Sequence, residues 1–144
     1  MAELRLTVSH TGRGNAIECT TPAGAKLQFD GGEGSPSSGA TPMQHLLASV
    51  GACALMDVGI ILTKKRLAFT NLRVECVGTR EKKGETNPIM GVKLVFHVDG
   101  DVPQKAFDDA VKLSVEKYCS AGATLAKSTP VAFEAIVSNA KHSG

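Results

Sequence analysis

A chain of 144 residues is long enough for one domain, or one subunit of a small intertwined oligomer, to bury a core without disulfide staples. With 16 basic and 14 acidic residues, the formal charge of +2 is too slight for a nucleic-acid or anionic-membrane surface. Aromatics at 4%, no Trp and 15 Gly leave the core to small aliphatic side chains, which lets elements approach closely.

The chain is read as a single domain, 1–144, with strands in 1–30. Leu4, Leu6 and Val8 alternate with polar residues, a half-buried strand pattern. Thr11 to Asn15 turns, Ala16 to Thr20 returns, and a second turn at Pro22-Ala23-Gly24 leads into Lys26 to Phe29. The start, Met1-Ala2-Glu3-Leu4-Arg5, lacks a signal-peptide pattern, so the expected compartment is the cytoplasm. Asp30 to Gly39 is a Gly/Ser/Pro loop, and no GK[ST] follows that would make it a phosphate cradle.

A long helix is expected over 41–66, with Thr41 as N-cap and Pro42 in the first position, where a missing N–H costs nothing. Met43, Leu46, Leu47, Val50, Ala54, Val58, Ile61 and Leu62 form an apolar stripe, and the opposite face is almost uncharged. A helix apolar all round has to be covered on every side, and a partner subunit is expected to cover one of them. Ser49 and Asp57 interrupt the apolar run, which makes it a poor membrane span. A hairpin follows over 69–98, alternating through Leu72, Val74, Cys76 and Gly78, then Val92, Leu94, Phe96 and Val98. A second cysteine helix region is expected over 103–127, opening at Pro103, and a last strand over 131–138, with a frayed tail after it. The order βββ-α-ββ-α-α-β is that of an α+β fold.

The cysteines at 19, 53, 76 and 119 have no zinc-site spacing. Cys19 and Cys76 fall in strands and read as packing residues. Cys53, mid-helix among Gly51, Ala52 and Ala54, reads on periodicity alone as an inert small hydrophobe, although its small neighbours would leave room around the sulfur for a small substrate. Cys119 stands at a helix junction, where unpaired N–H groups and Lys117 would favour its thiolate; a buried junction cysteine is the alternative. Asp57, on a buried face, needs a hydrogen-bond partner such as a serine or a backbone N–H. His45 has no second ligand at metal spacing.

Two segments carry a family resemblance. Thr41-Pro42-Met43-Gln44-His45-Leu46-Leu47-Ala48-Ser49-Val50-Gly51-Ala52-Cys53-Ala54-Leu55-Met56-Asp57-Val58 resembles the first cysteine helix of OsmC/Ohr proteins, and Leu113-Ser114-Val115-Glu116-Lys117-Tyr118-Cys119-Ser120-Ala121 resembles their second cysteine motif, closest to the YhfA-like branch. The resemblance implies antiparallel sheets wrapping two long buried central helices in an intertwined homodimer. It also implies hydroperoxide reduction without a cofactor, with Cys53 attacking the peroxide, Cys119 resolving it as a disulfide, and an external dithiol (lipoyl-like) or small thiol as reductant. Neither nucleic acid nor membrane is implied. Where the family's peroxidase branches carry a Glu ten residues before the peroxidatic Cys, this chain has Met43, with Gln44 next. Arg13 is the candidate for the Arg that pairs with that Glu, and Gln44 and Glu116 are further candidates to line the pocket or hold the thiolate. The rival expectation is a non-catalytic dimer that binds a small apolar or thiol-reactive ligand beside Cys53.

Overall fold

The computed structural model describes residues 2–32 and 39–138, so part of the Gly/Ser/Pro loop and the tail after Ser138 lie outside the described residues. The chain divides into two compact units, Met1–Leu46 and Leu47–Gly144.

In the first unit, β1 (Thr7–His10), β2 (Ile17–Thr20) and β3 (Lys26–Phe29) form an antiparallel meander in the order β1-β2-β3. Cys19 of the middle strand faces Val8 on one side and Leu27 on the other, and it is fully buried. The first strand departs from its expected pattern. It begins only at Thr7, all four of its residues are exposed, and Leu4 is 92% exposed. Of these strands' residues Cys19 alone is buried, while Ile17, Glu18 and Phe29 are half-buried.

Helix α1 (Pro42–Lys64) starts with a reciprocal cap. The Thr41 N–H donates to Gln44 Oε1 at 2.9 Å, and the Gln44 N–H donates to Thr41 Oγ1 at 3.1 Å. It ends with Arg66 in the left-handed region (φ 57°), where Leu67 N–H reaches Leu62 O and Arg66 N–H reaches Thr63 O. This closing motif usually carries glycine in the left-handed position. By length and composition alone α1 could cross a bilayer, as core helices of water-soluble proteins also can.

The second unit holds the other sheet, β4 (Phe69–Arg80), β5 (Ile89–Gly100) and β6 (Val131–Ser138), with β5 in the centre. β4 pairs antiparallel to β5 as a hairpin, but β6 pairs parallel to β5, from Val92↔Val131 to Asp99↔Ser138. The sheet is therefore mixed, which corrects the antiparallel expectation. The helical segment between β5 and β6 is a crossover of the length that parallel strands require. That segment is not one long helix. It consists of α2 (Gln104–Leu113), a single π turn (Ser114–Tyr118) and α3 (Ser120–Ala126). Among the described residues α1 is the only helix longer than ten residues.

Val92, Leu94, Phe96 and Val98 on one face of β5 are buried, as are Phe107, Ala110 and Val111 of α2. From α1 only Val50, Gly51, Ala54, Val58 and Leu62 are buried. A Cβ at Gly51 would lie 2.3 Å from Cys76 Sγ, and one at Gly59 would lie 3.7 Å from Leu72, so α1 runs against β4 at close range. The opposite face remains open within the chain, with Met56 69% and Ile60 53% exposed. The expectation of burial on every side is thus unmet by a single chain.

Candidate functional site

The site forms where the middle of α1 meets the junction between α2 and α3. Ser114, fully buried, donates its hydroxyl to the Ala54 carbonyl at 2.8 Å. The turn after it is wide, and the Cys119 N–H returns to the Ser114 carbonyl at 2.8 Å, five residues back. Such π turns recur at functional sites because the extra residue re-aims the side chain that follows. Here the side chain that follows is Cys119.

Cys119 is 3% exposed and serves as N-cap of α3. Its Sγ accepts the Gly122 N–H at 3.2 Å and donates to the Val50 carbonyl of α1 at 3.7 Å, across 69 positions of sequence. A Cβ on residue 122 would stand 3.1 Å from that sulfur, so glycine there keeps the N–H within reach of it. The thiol is pushed up to about 11, mainly because burial penalises the charged form. The Gly122 N–H pulls the other way, while the neighbouring Cys53 thiol and the Asp57 charge add to the rise. The helix-end position was expected to favour a Cys119 thiolate. Burial outweighs it, and Cys119 is a neutral thiol at pH 7.

Cys53, half-buried, lies on α1 between Val50 and Ala54, the two residues whose carbonyls face the junction. The structure thus brings together the two sulfurs singled out in the sequence, and both are free thiols. Asp57 follows one turn along α1. Its Oδ2 is buried and has no hydrogen-bond partner, so the serine or backbone partner expected for it is not supplied by the described residues. The nearby serine, Ser114, is committed to Ala54. Asp57, Ile60, Ile61 and Lys64 of α1, with Leu113 and Tyr118 across the junction, line an apolar groove of about 490 Å³.

The remaining candidates lie elsewhere or have other tasks. Gln44 is held in the helix cap. Glu116 is exposed on the π turn, and Lys117 Nζ stands 5.3 Å from the Tyr118 ring. Arg13 lies in the β1–β2 turn of the first unit, exposed, and makes no ion pair among the described residues. His45 Nε2 bonds the Gln28 carbonyl at 2.8 Å and its ring packs on Phe29. Cys76 packs on Gly51, and burial pushes its thiol up. No group of three metal-ligating side chains forms among the described residues. Sequence reasoning missed Ser114 as the residue that ties the junction to α1. Its place in the second motif was visible, but a partner sixty positions away leaves no local signal.

Comparison with known proteins places these motifs in context. The family model described as OsmC-like protein matches residues 32–134. Protein YhfA of Escherichia coli K12 is 32% identical over 111 residues, covering 76% of this chain and 80% of that protein. The crystal structure of a hypothetical protein from Aquifex aeolicus VF5 superposes with a TM-score of 0.83 at 28% identity, covering 96% of this chain and 98% of that one. A Legionella pneumophila structure described as an organic hydroperoxide resistance protein OsmC shares the fold, with a TM-score of 0.69 at 17% identity over 94% of this chain and 98% of its own.

Proposed function

Because the chain belongs to the OsmC-like protein family, we propose that it is a thiol-dependent peroxidase that reduces organic hydroperoxides through Cys53 and Cys119. The observation that carries this reading is the approach of two free thiols remote in sequence, near enough for Cys53 to influence the ionisation of Cys119, beside an apolar groove. The Cys53 thiolate attacks the peroxide, the O–O bond breaks, and the alkoxide leaves as alcohol after taking up a proton. Cys53 becomes a sulfenic acid. The Cys119 thiol then displaces its hydroxyl, giving a Cys53–Cys119 disulfide and water, and an external dithiol or small thiol restores both thiols. The roles follow from the surroundings. Cys53 is the more accessible sulfur, whereas Cys119 is buried and neutral, which favours waiting for an oxidised partner over meeting a peroxide.

The same reading gives the open face of α1 to a second copy of the chain. Ser49, Ala52, Met56 and Ile60 lie along it, two small residues followed by two long apolar ones, and the small pair allows two such helices to approach closely. Sedimentation at micromolar concentration should give a dimer; a stable monomer would exclude this pairing.

One observation favours a second reading, an OsmC-fold dimer that binds an apolar or thiol-reactive ligand without turnover. Met43 stands where the peroxidase branches carry glutamate, and no cation pairs with a carboxylate beside Cys53 among the described residues. Stopped-flow mixing of the reduced protein with cumene hydroperoxide, with mass spectrometry of the products, separates the two. A Cys53–Cys119 disulfide forming far faster than free cysteine oxidises supports the peroxidase, and oxidation at the free-cysteine rate supports the binding module. Cys53→Ser should abolish the reaction, and Cys119→Ser should trap a sulfenic acid on Cys53.

A further inference from the structure

We infer that Asp57 is the proton acceptor for the Cys119 thiol when that thiol attacks oxidised Cys53, an inference that rests on the sulfur-pair reading above. Three features meet at this carboxylate. It follows Cys53 by one turn of α1, so it lies on the same side of the helix as the reacting sulfur. Its Oδ2 is buried and unpartnered, although a buried carboxylate oxygen normally accepts a hydrogen bond. It lines the groove of about 490 Å³ that adjoins the junction, a space with room for water. The carboxylate borders space for water while one of its oxygens is left without a partner, so a proton can reach it through one bridging molecule.

Chemistry supplies the need for such a group. A thiol that holds its proton up to about 11 is a poor nucleophile near neutral pH, and the charge on Asp57 is one of the influences keeping it neutral. The same negative charge that opposes a lasting Cys119 thiolate is well placed to take the proton as the S–S bond forms. The Cys119 sulfur bonds to the Cys53 sulfur, the Cys53–O bond breaks, the thiol proton passes through water to the Asp57 carboxylate, and it is then returned to the departing hydroxide to give water. No further oxidant is required. The other titratable groups around the site are Lys64 and Lys65 from the end of α1, Tyr118 from the π turn and the two cysteines themselves. None of these is a carboxylate, and the Cys53 sulfur is already oxidised when Cys119 attacks it.

Thiol–disulfide exchange isolates this step without any hydroperoxide. Reduced protein is mixed with a limiting aromatic disulfide that releases a coloured thiolate, and the mixed disulfide is mapped to Cys53 by peptide mass spectrometry. A first equivalent of colour appears on labelling, and a second when Cys119 displaces the aromatic thiolate. That thiolate needs no proton to leave, so the second phase reads removal of the Cys119 proton alone. Asp57→Asn should leave the first phase unchanged and slow the second by about 100-fold at pH 7. The deficit should shrink as pH approaches 11, where Cys119 ionises unaided. In the unmutated protein the second phase should slow in deuterium oxide, a measurement that needs no variant to fold, and Asp57→Ala should reproduce the Asn result. Equal slowing of both phases, a second phase indifferent to Asn, or a deficit independent of pH would overturn the assignment. Failure to react with cumene hydroperoxide would instead refute the peroxidase reading and leave the exchange result standing.

Discussion

Gly51→Ala offers a direct measure of how tightly α1 is held against the sheet that fixes the height of Cys53. In a helix interior the change should gain about 0.5–1 kcal/mol from backbone entropy. The new Cβ, however, would stand 2.3 Å from Cys76 Sγ and 3.3 Å from Val74 Cγ1, where non-bonded carbons normally keep about 3.5–4.0 Å. β4 cannot retreat easily, because its residues from Arg73 to Thr79 are paired in register with β5. Overpacking of this kind costs about 1–3 kcal/mol, so a net loss of about 1–2 kcal/mol is expected. At this chain length that lowers the thermal midpoint by about 3–8 °C, read by circular dichroism or calorimetry. The offending atom can be removed. With Cys76→Ala in place, the nearest remaining neighbour outside residue 76 is Val74 Cγ1 at 3.3 Å, and most of the penalty should vanish. The double-mutant cycle should therefore show a favourable coupling of about 1–2 kcal/mol. If the two changes add within about 0.5 kcal/mol, the contact does not limit the approach of helix and strand, and the reasoning fails.

Other expectations follow from the same structure. Cys119 ionises near its ordinary value of 9.0 once unfolded but holds its proton to about 11 when folded. Its contribution to stability is thus complete below pH 9 and is lost as pH climbs through 11, so denaturant midpoints should fall across that window and Cys119→Ala should flatten the fall. Gln44→Ala should cost about 1 kcal/mol through loss of the cap while leaving the rate of Cys53 oxidation unchanged. A change in that rate at constant stability would return Gln44 to the reacting site.

Local rules written in the chain determined the elements. Thr41-Pro42 with Gln44 marks the start of α1, the alternation in 69–98 marks the hairpin, and Pro103 and Pro130 mark the helix and strand beyond. The two cysteine motifs likewise marked the two sulfurs that the fold brings near each other, because each is a contiguous stretch of sequence. Side-chain alternation has the same period in parallel and antiparallel strands, so the direction of β6 was not legible. Nor was the π turn, which changes a hydrogen-bond register and leaves the residue pattern unaltered. Burial is a property of the assembled surroundings, so only the tertiary structure decided that Cys119 is neutral despite its place at a helix start, and that Asp57 Oδ2 is left without a partner. Local sequence sets where a helix begins and which residues share a face; how much water and which distant groups surround one atom is set by packing alone.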